Sequence, residues 1–156
     1  MMMVRYAKRE ELTRVNELRK QVNDLHCEGR PDLFRPGFSQ ELRDYVYEIF
    51  DSENKDIVVA EIDGIICGFA CIQYVEKPET PYRLALHFCD IDELCVDQAF
   101  RRMGIAKAII AFIKEEAKKK GFNRLELNMW SFNEDALRFY EAVGFSTYRR
   151  YMEMQL

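Results

Sequence analysis

Residues 93–106 read Glu93-Leu94-Cys95-Val96-Asp97-Gln98-Ala99-Phe100-Arg101-Arg102-Met103-Gly104-Ile105-Ala106. Physically this is the end of a strand, a tight loop with two arginines, and a helix that begins at a glycine. The first backbone N–H groups of a helix lack partners within it and carry partial positive charge, which makes an anion site. Gly104 lets a phosphate approach the main chain with no Cβ in the way. Arg101 and Arg102 add charge-assisted donors. A pyrophosphate suits this arrangement. The plain alternative is a strand-to-helix turn with solvated arginines, and these residues alone leave both readings open. Neither a GxxxxGK[ST] loop nor a GxGxxG fingerprint is present.

Outward from this stretch, the strand reaches back to about Leu84, behind a loop with Pro78 and Pro81. The helix runs from Ile105 to Lys120, with Ile105, Ile109, Phe112 and Ile113 on one side and Gly121 as its stop. Leu125, Leu127 and Met129 then alternate with Glu126, Asn128 and Trp130 as a strand. Asn133 opens a helix that Glu134 and Asp135 suit electrostatically and Gly144 closes. Phe145 to Leu156 reads as a final strand. On the N-terminal side, Val4 to Ala7 is a short strand, followed by a helix with Leu12, Val15, Leu18, Val22 and Leu25 as its apolar stripe. His26 to Phe38, with Gly29, Pro31, Pro36 and Gly37, is a loop. Leu42, Tyr45, Val46, Ile49 and Phe50 mark a second helix. Asp56 to Ile62 and Ile65 to Tyr74 are strands joined at Asp63-Gly64, a hairpin signal. The order is β-α-α-β-β-β-α-β-α-β, an α/β (α+β) chain forming a single domain over residues 1–156.

Composition narrows the classes. The 156 residues carry 23 Lys+Arg against 27 Asp+Glu, a net charge of −4, with 48% hydrophobic and 32% charged residues. That is the balance of an ordinary soluble globular protein. Four Pro and seven Gly exclude a collagenous or disordered chain. The acidity argues against nucleic acid as a partner. It is uneven, however: Gln98 to Lys120 holds seven Lys/Arg against two Glu, so the remainder is more acidic than the average. The five cysteines form no CxxC pair. Cys67 and Cys71 lie about 13 Å apart along a strand, too far for a disulfide. With two histidines there is no zinc-ligand spacing, and no metal is expected. Buried thiols in a reducing cytoplasm are the expectation. No apolar run approaches 18 residues and no signal-like h-region opens the chain, so neither secretion nor a membrane span is expected.

Arg101-Arg102-Met103-Gly104-Ile105-Ala106 resembles the Q/R-x-x-G-x-G/A loop of the GNAT superfamily, the GCN5-related N-acetyltransferases. Asn133-Glu134-Asp135-Ala136-Leu137-Arg138-Phe139-Tyr140-Glu141-Ala142-Val143-Gly144-Phe145 resembles the family's second signature. Both occur in the family's order and on its elements, so the resemblance covers nearly the whole chain. It implies a mixed central sheet flanked by helices, with acetyl-CoA as cosubstrate. Backbone groups of Leu94 and Val96 would pair with the pantetheine arm. The loop of Arg101, Arg102, Met103, Gly104, Ile105, Ala106 and Lys107 would cradle the pyrophosphate. Asn133 would hydrogen-bond the cosubstrate, and Tyr140 would lie beside the thioester sulfur as general acid. In isolation Asn133 reads as an N-cap and Tyr140 as a core tyrosine. Two departures stand out: relatives often have Pro where Gln98 stands and Gly where Arg102 stands.

Acyl transfer to an amine needs a neutral amine and a proton for the departing thiolate, hence a base and an acid. Tyr140 is the acid. Asp90, Asp92 and Glu93 crowd the strand before the loop, and Glu93 or Asp92 is the expected base. By alternation Asp92 shares a face with Leu94 and Val96, and Glu93 with Cys95, unless a bulge slips the register. Glu126 lies on the next strand. Alternatively these acids solvate a strand end or balance Arg101 and Arg102. Direct attack by the amine is expected, since Cys95 has no evident histidine partner for a covalent route. The strand acids suit a small cationic amine, and the resemblance implies that His26 to Phe38 walls the acceptor side, although packing and solvation account for its residues equally well. The alternatives are a protein N-terminal or lysine acetyltransferase, or a non-catalytic acyl-CoA-binding sensor or interaction module. Relatives are commonly dimers, which makes a homodimer a further expectation.

Overall fold

The computed structural model describes residues 1–156. Its elements are β1 (Met2–Tyr6), a 3-10 turn (Arg9–Glu11), α1 (Leu12–Gly29), α2 (Gln40–Asp51), β2 (Lys55–Ile62) and β3 (Ile65–Lys77). Then come β4 (Leu86–Val96), a second 3-10 turn (Gln98–Phe100), α3 (Ile105–Lys119), β5 (Leu125–Leu127) and α4 (Glu134–Ala142). One mixed sheet runs in the order β1-β2-β3-β4-β5. The first four strands are antiparallel neighbours, and β5 lies parallel to β4.

Each sheet face has its own apolar cluster. Ile105, Ile109, Ile110 and Ile113 of α3 pack on Ala60, Ala70, Ile72 and Ile91, and Phe139 and Tyr140 of α4 join that side. Leu12, Val15 and Leu18 of α1, with Val46 and Ile49 of α2, pack on Val59, Phe69 and Cys71 of the opposite face. The Asp63-Gly64 turn forms as expected, with both residues at positive φ, the geometry a two-residue hairpin requires. Gly68 sets how closely α3 lies over β3. A Cβ there would meet Ile105 Cγ2 at 3.0 Å and Ile109 Cδ1 at 3.2 Å.

A bulge in β4 aims the site. Cys71 pairs with Glu93, yet Ile72 pairs with Ile91, so Asp92 is the extra residue. Cys89 and Ile91 therefore face α3, whereas beyond the bulge Glu93 and Cys95 point toward α1. The expected sharing of a face by Glu93 and Cys95 holds, and Asp92 stands at the slip itself. β5 pairs with β4 only over Cys89–Ile91. From Asp92 onward the two strands part, and the far edge of β4 is free.

The structure corrects the sequence reading in four places, the first being that the strand expected over Leu125–Trp130 forms only over Leu125–Leu127. Helix α1 continues through Gly29, so the loop expected from His26 begins only at Arg30. Leu25, placed in the apolar stripe, is 41% exposed. The tenth expected element, a strand over Phe145–Leu156, does not form. After Phe145 N–H, which donates to Tyr140 O at 2.9 Å, no main-chain group of the tail enters a hydrogen bond. Alternation supplies a strand's faces but not its partner, and β5 offers an edge of only three residues. No helix is long and apolar enough to cross a membrane.

Candidate functional site

The free edge of β4 has a defined polarity. Asp97 N–H donates to Cys67 O on β3 at 2.8 Å. By strand alternation the main-chain groups of Cys95 also point to β3, and those of Leu94 and Val96 point outward to the free edge. An extended polar chain laid there meets donors and acceptors at strand spacing.

This edge leads into the arginine loop. Asp97 caps the 3-10 turn by accepting from Ala99 N–H at 3.1 Å. Arg101 is extended, Arg102 has φ 65° and Gly104 has φ 75°. The first main-chain bond of α3 runs from Ala108 N–H to Gly104 O at 3.0 Å. The N–H groups of Ile105, Ala106 and Lys107 therefore lie ahead of the helical ladder. No acid sits in this first turn, so its positive end is uncompensated. Arg101, Arg102, Met103 and Lys107 are exposed around it. An arginine at positive φ is strained by about 1–2 kcal/mol, while glycine loses about 0.5–1 kcal/mol more chain entropy on folding. Arg102→Gly accordingly stabilises the fold by about 0.5 kcal/mol. Urea unfolding checks this as a higher midpoint at unchanged slope.

Helix α4 closes the other wall. The Asn133 side chain accepts from Ala136 N–H at 3.2 Å, so the N-cap role is real and its amide N–H₂ stays available. Tyr140 packs edge-to-face on Phe145 at 5.7 Å, and its hydroxyl makes no hydrogen bond within the chain. Burial, with the nearby Cys95 thiol, raises its pKa above that of an ordinary phenol. Cys95 itself is pushed up to about 11, chiefly by burial. Tyr140 thus keeps its proton at neutral pH, and Cys95 stays a thiol rather than the nucleophilic thiolate.

The acids differ in their commitments. Asp92 is exposed at the bulge. Glu93 is tied to Arg19 of α1, which donates from Nε to Oε2 at 3.0 Å and from Nη2 to Oε1 at 3.4 Å. Arg19 is 4% exposed and also donates to Asn16 Oδ1 at 3.0 Å and to Leu42 O at 2.5 Å. The balancing cation for Glu93 is therefore Arg19 rather than Arg101 or Arg102. Asp90 is half-buried beside Glu126, its register neighbour on β5, and enters no ion pair. Burial, then the charges of Asp92 and Glu126, push its carboxyl up to about 6. Arg19 and the distinct state of Asp90 were not singled out by sequence. A signal for Arg19 existed: it sits four residues after Val15 and seven after Leu12, on the apolar stripe, where a charge needs a buried partner.

Facing Glu93 is an aromatic wall. His26 lies 5.0 Å from Phe34, which meets Trp130 edge-to-face at 5.2 Å, and Arg30 lies 5.8 Å over the Trp130 ring. Burial lowers the His26 pKa, partly offset by the Glu93 charge. A surface depression of about 460 Å³ is lined by Arg35, Ser39, Glu41, Leu42, Tyr45 and Glu48, on α2 and the loop before it. It meets the site only through Leu42, whose carbonyl accepts from Arg19, while a second depression is lined by Asn133 together with Leu25 and Phe132. No group of three or more His, Cys, Asp or Glu side chains is placed to hold a metal ion.

A profile of the acetyltransferase (GNAT) family matches residues 19–145. The chain belongs to the GNAT family. It is 26% identical over 102 residues to the uncharacterized N-acetyltransferase YjgM of Escherichia coli, covering 65% of this chain and 58% of that protein. It spans 37–58% of the length of the first three curated relatives it matches. Among solved structures it is similar to a tetramutant of the BH1408 protein of Bacillus halodurans, with TM-score 0.94, 27% identity and 99% of each chain covered. The aminoglycoside N-acetyltransferase AAC(6')-Iy in complex with CoA shares the GNAT fold at TM-score 0.79 and 20% identity, over 100% of this chain and 95% of that one.

Proposed function

We propose that this GNAT chain transfers the acetyl group of acetyl-CoA to a primary amine, with a small cationic molecule as acceptor. The observation that carries the reading is the parting of β4 and β5 after Ile91. It leaves a polar edge at Leu94 and Val96 that runs straight into the positive end of α3. The pantetheine arm would lie on that edge, the pyrophosphate on Arg101 to Lys107, and Asn133 would bond the cosubstrate through its free amide. The amine nitrogen attacks the thioester carbon, the C–S bond breaks, a carboxylate takes the amine proton, and Tyr140 protonates the leaving thiolate. Of the three strand acids, Asp90 suits proton acceptance best: it is bound to no cation, and burial with the neighbouring Asp92 and Glu126 charges pushes its carboxyl up to about 6. Glu93, held by Arg19, and exposed Asp92 supply negative potential for a cationic acceptor.

The test is incubation with acetyl-CoA and a panel of polyamines, amino sugars and peptides, monitored for free thiol. Release of CoA with a small cationic amine is the expected outcome. Release with peptides alone would favour a protein acetyltransferase, and binding without release across the panel would favour an acyl-CoA sensor. The homodimer is likewise a proposal, to be read from the mass in solution.

A further inference from the structure

The loop that opens α3 is held from the opposite side of the sheet, by helix α1. Asp97 is only 9% exposed, and its carboxylate is fully engaged. It accepts from Ala99 N–H, from the Gln21 side-chain amide at 3.4 Å, and from the Arg14 guanidinium in a close ion pair. Arg14 is anchored in turn, donating to Ile66 O at 3.1 Å and pairing with Glu17 at 2.7 Å. Gln21 Oε1 accepts from Gln98 N–H at 3.3 Å. One side-chain amide thus holds both the Asp97 carboxylate and the Gln98 N–H, and these two partners fix which way that amide is turned.

Two residues of the loop make that grip consequential. Proline at position 98 would lock its own φ and restrict the residue before it to extended backbone. Asp97 has φ −52° and ψ 135°, the conformation a following proline demands, although Gln98 enforces nothing. The N–H that proline would lack is the one Gln21 takes. Four residues on, Arg102 sits at φ 65°, a region that disfavours a side chain. The loop is therefore biased away from its conformation at Arg102 and must be pinned where it begins.

We infer that Gln21 is a positioning residue for the cosubstrate loop, setting through Asp97 and Gln98 the direction in which the main chain enters Arg101–Gly104. This rests on the reading that Arg101 to Lys107 receives the pyrophosphate. Helix α1 then does in this chain what a ring-locked φ would otherwise do. Gln21 touches neither the loop's anion-facing groups nor the reacting atoms.

The test is calorimetric titration of CoA into the full-length chain as wild type, Gln21→Ala, Gln98→Pro and the double variant, with kcat measured in parallel. Gln21→Ala weakens CoA about five-fold, the effect of about one hydrogen bond, with kcat within about two-fold. Gln98→Pro binds at least as tightly as wild type, and in that background Gln21→Ala has no effect. A merely structural glutamine would not show this rescue. An equal loss in both backgrounds, or no loss in either, overturns the inference. Absence of CoA binding in the wild type overturns the acetyl-CoA reading itself, and the positioning role with it.

Discussion

Replacing Tyr140 by Phe lowers kcat on an accepted amine by about 100-fold, while the Kd for acetyl-CoA stays within about two-fold. The change removes one oxygen and leaves the ring on Phe139 and Phe145, so the apolar packing of α4 survives. The hydroxyl has no partner within the chain, so its loss strands no buried donor or acceptor. What disappears is a proton source held in its protonated form by burial. Saturating turnover, followed as thiol release, is the measurement. Unchanged turnover would remove Tyr140 from the acid role. A parallel rise in the Kd for acetyl-CoA would mean that the ring or hydroxyl serves binding instead.

Asp90→Asn abolishes the acidic limb of the pH–rate profile and lowers kcat/KM by about 10²–10³-fold. A base must be ionised to work, so wild-type activity rises with pH through the Asp90 pKa of about 6 and levels above it. The same group acts on stability with opposite sense. Its pKa is raised from 3.8 to about 6 on folding. The folded state therefore binds the proton more tightly, and the stabilisation it confers is fully present only below about 3.8. It is lost as pH rises toward 6, leaving a desolvated charge above that. Asparagine removes the charge, so Asp90→Asn is more stable at pH 7 by about 1–2 kcal/mol, discounted for partial exposure. That is a rise in Tm of roughly 3–6 °C for a domain of this size, and the gain vanishes near pH 4. A variant both inactive and more stable is the signature of a strained functional group. An inactive variant with lower Tm would instead mark Asp90 as structural, and Glu93 would return as the candidate base.

Some of this was legible before any coordinates. Asp63-Gly64 announced its hairpin, because few residues other than Asn, Asp and Gly accept two positive φ angles in succession. The apolar periodicity of Ile105 to Ile113 announced the core face of α3, since packing on a sheet demands one wide stripe. Asn133 declared the start of α4 through its capping side chain, and Gly104 that of α3 through a left-handed backbone that glycine accepts. The tail did not follow its alternating pattern, because a strand exists only where another edge meets it.

The sequence by itself determined the order of elements from β1 to α4 and the positions of the glycine and asparagine that open α3 and α4. These rest on periodicity and backbone preference among residues close in the chain. Only the tertiary structure decided which of the strand acids has a cation beside it. A one-residue bulge at Asp92 turned Glu93 toward α1, where Arg19, 74 positions earlier, neutralises it. The same slip left Asp90 at the fork with no cation beside it. Gln98, a departure from the family pattern on paper, found its restraint in Gln21, 77 positions away. Charge state and loop geometry depend on what burial brings together, and no local pattern contains that.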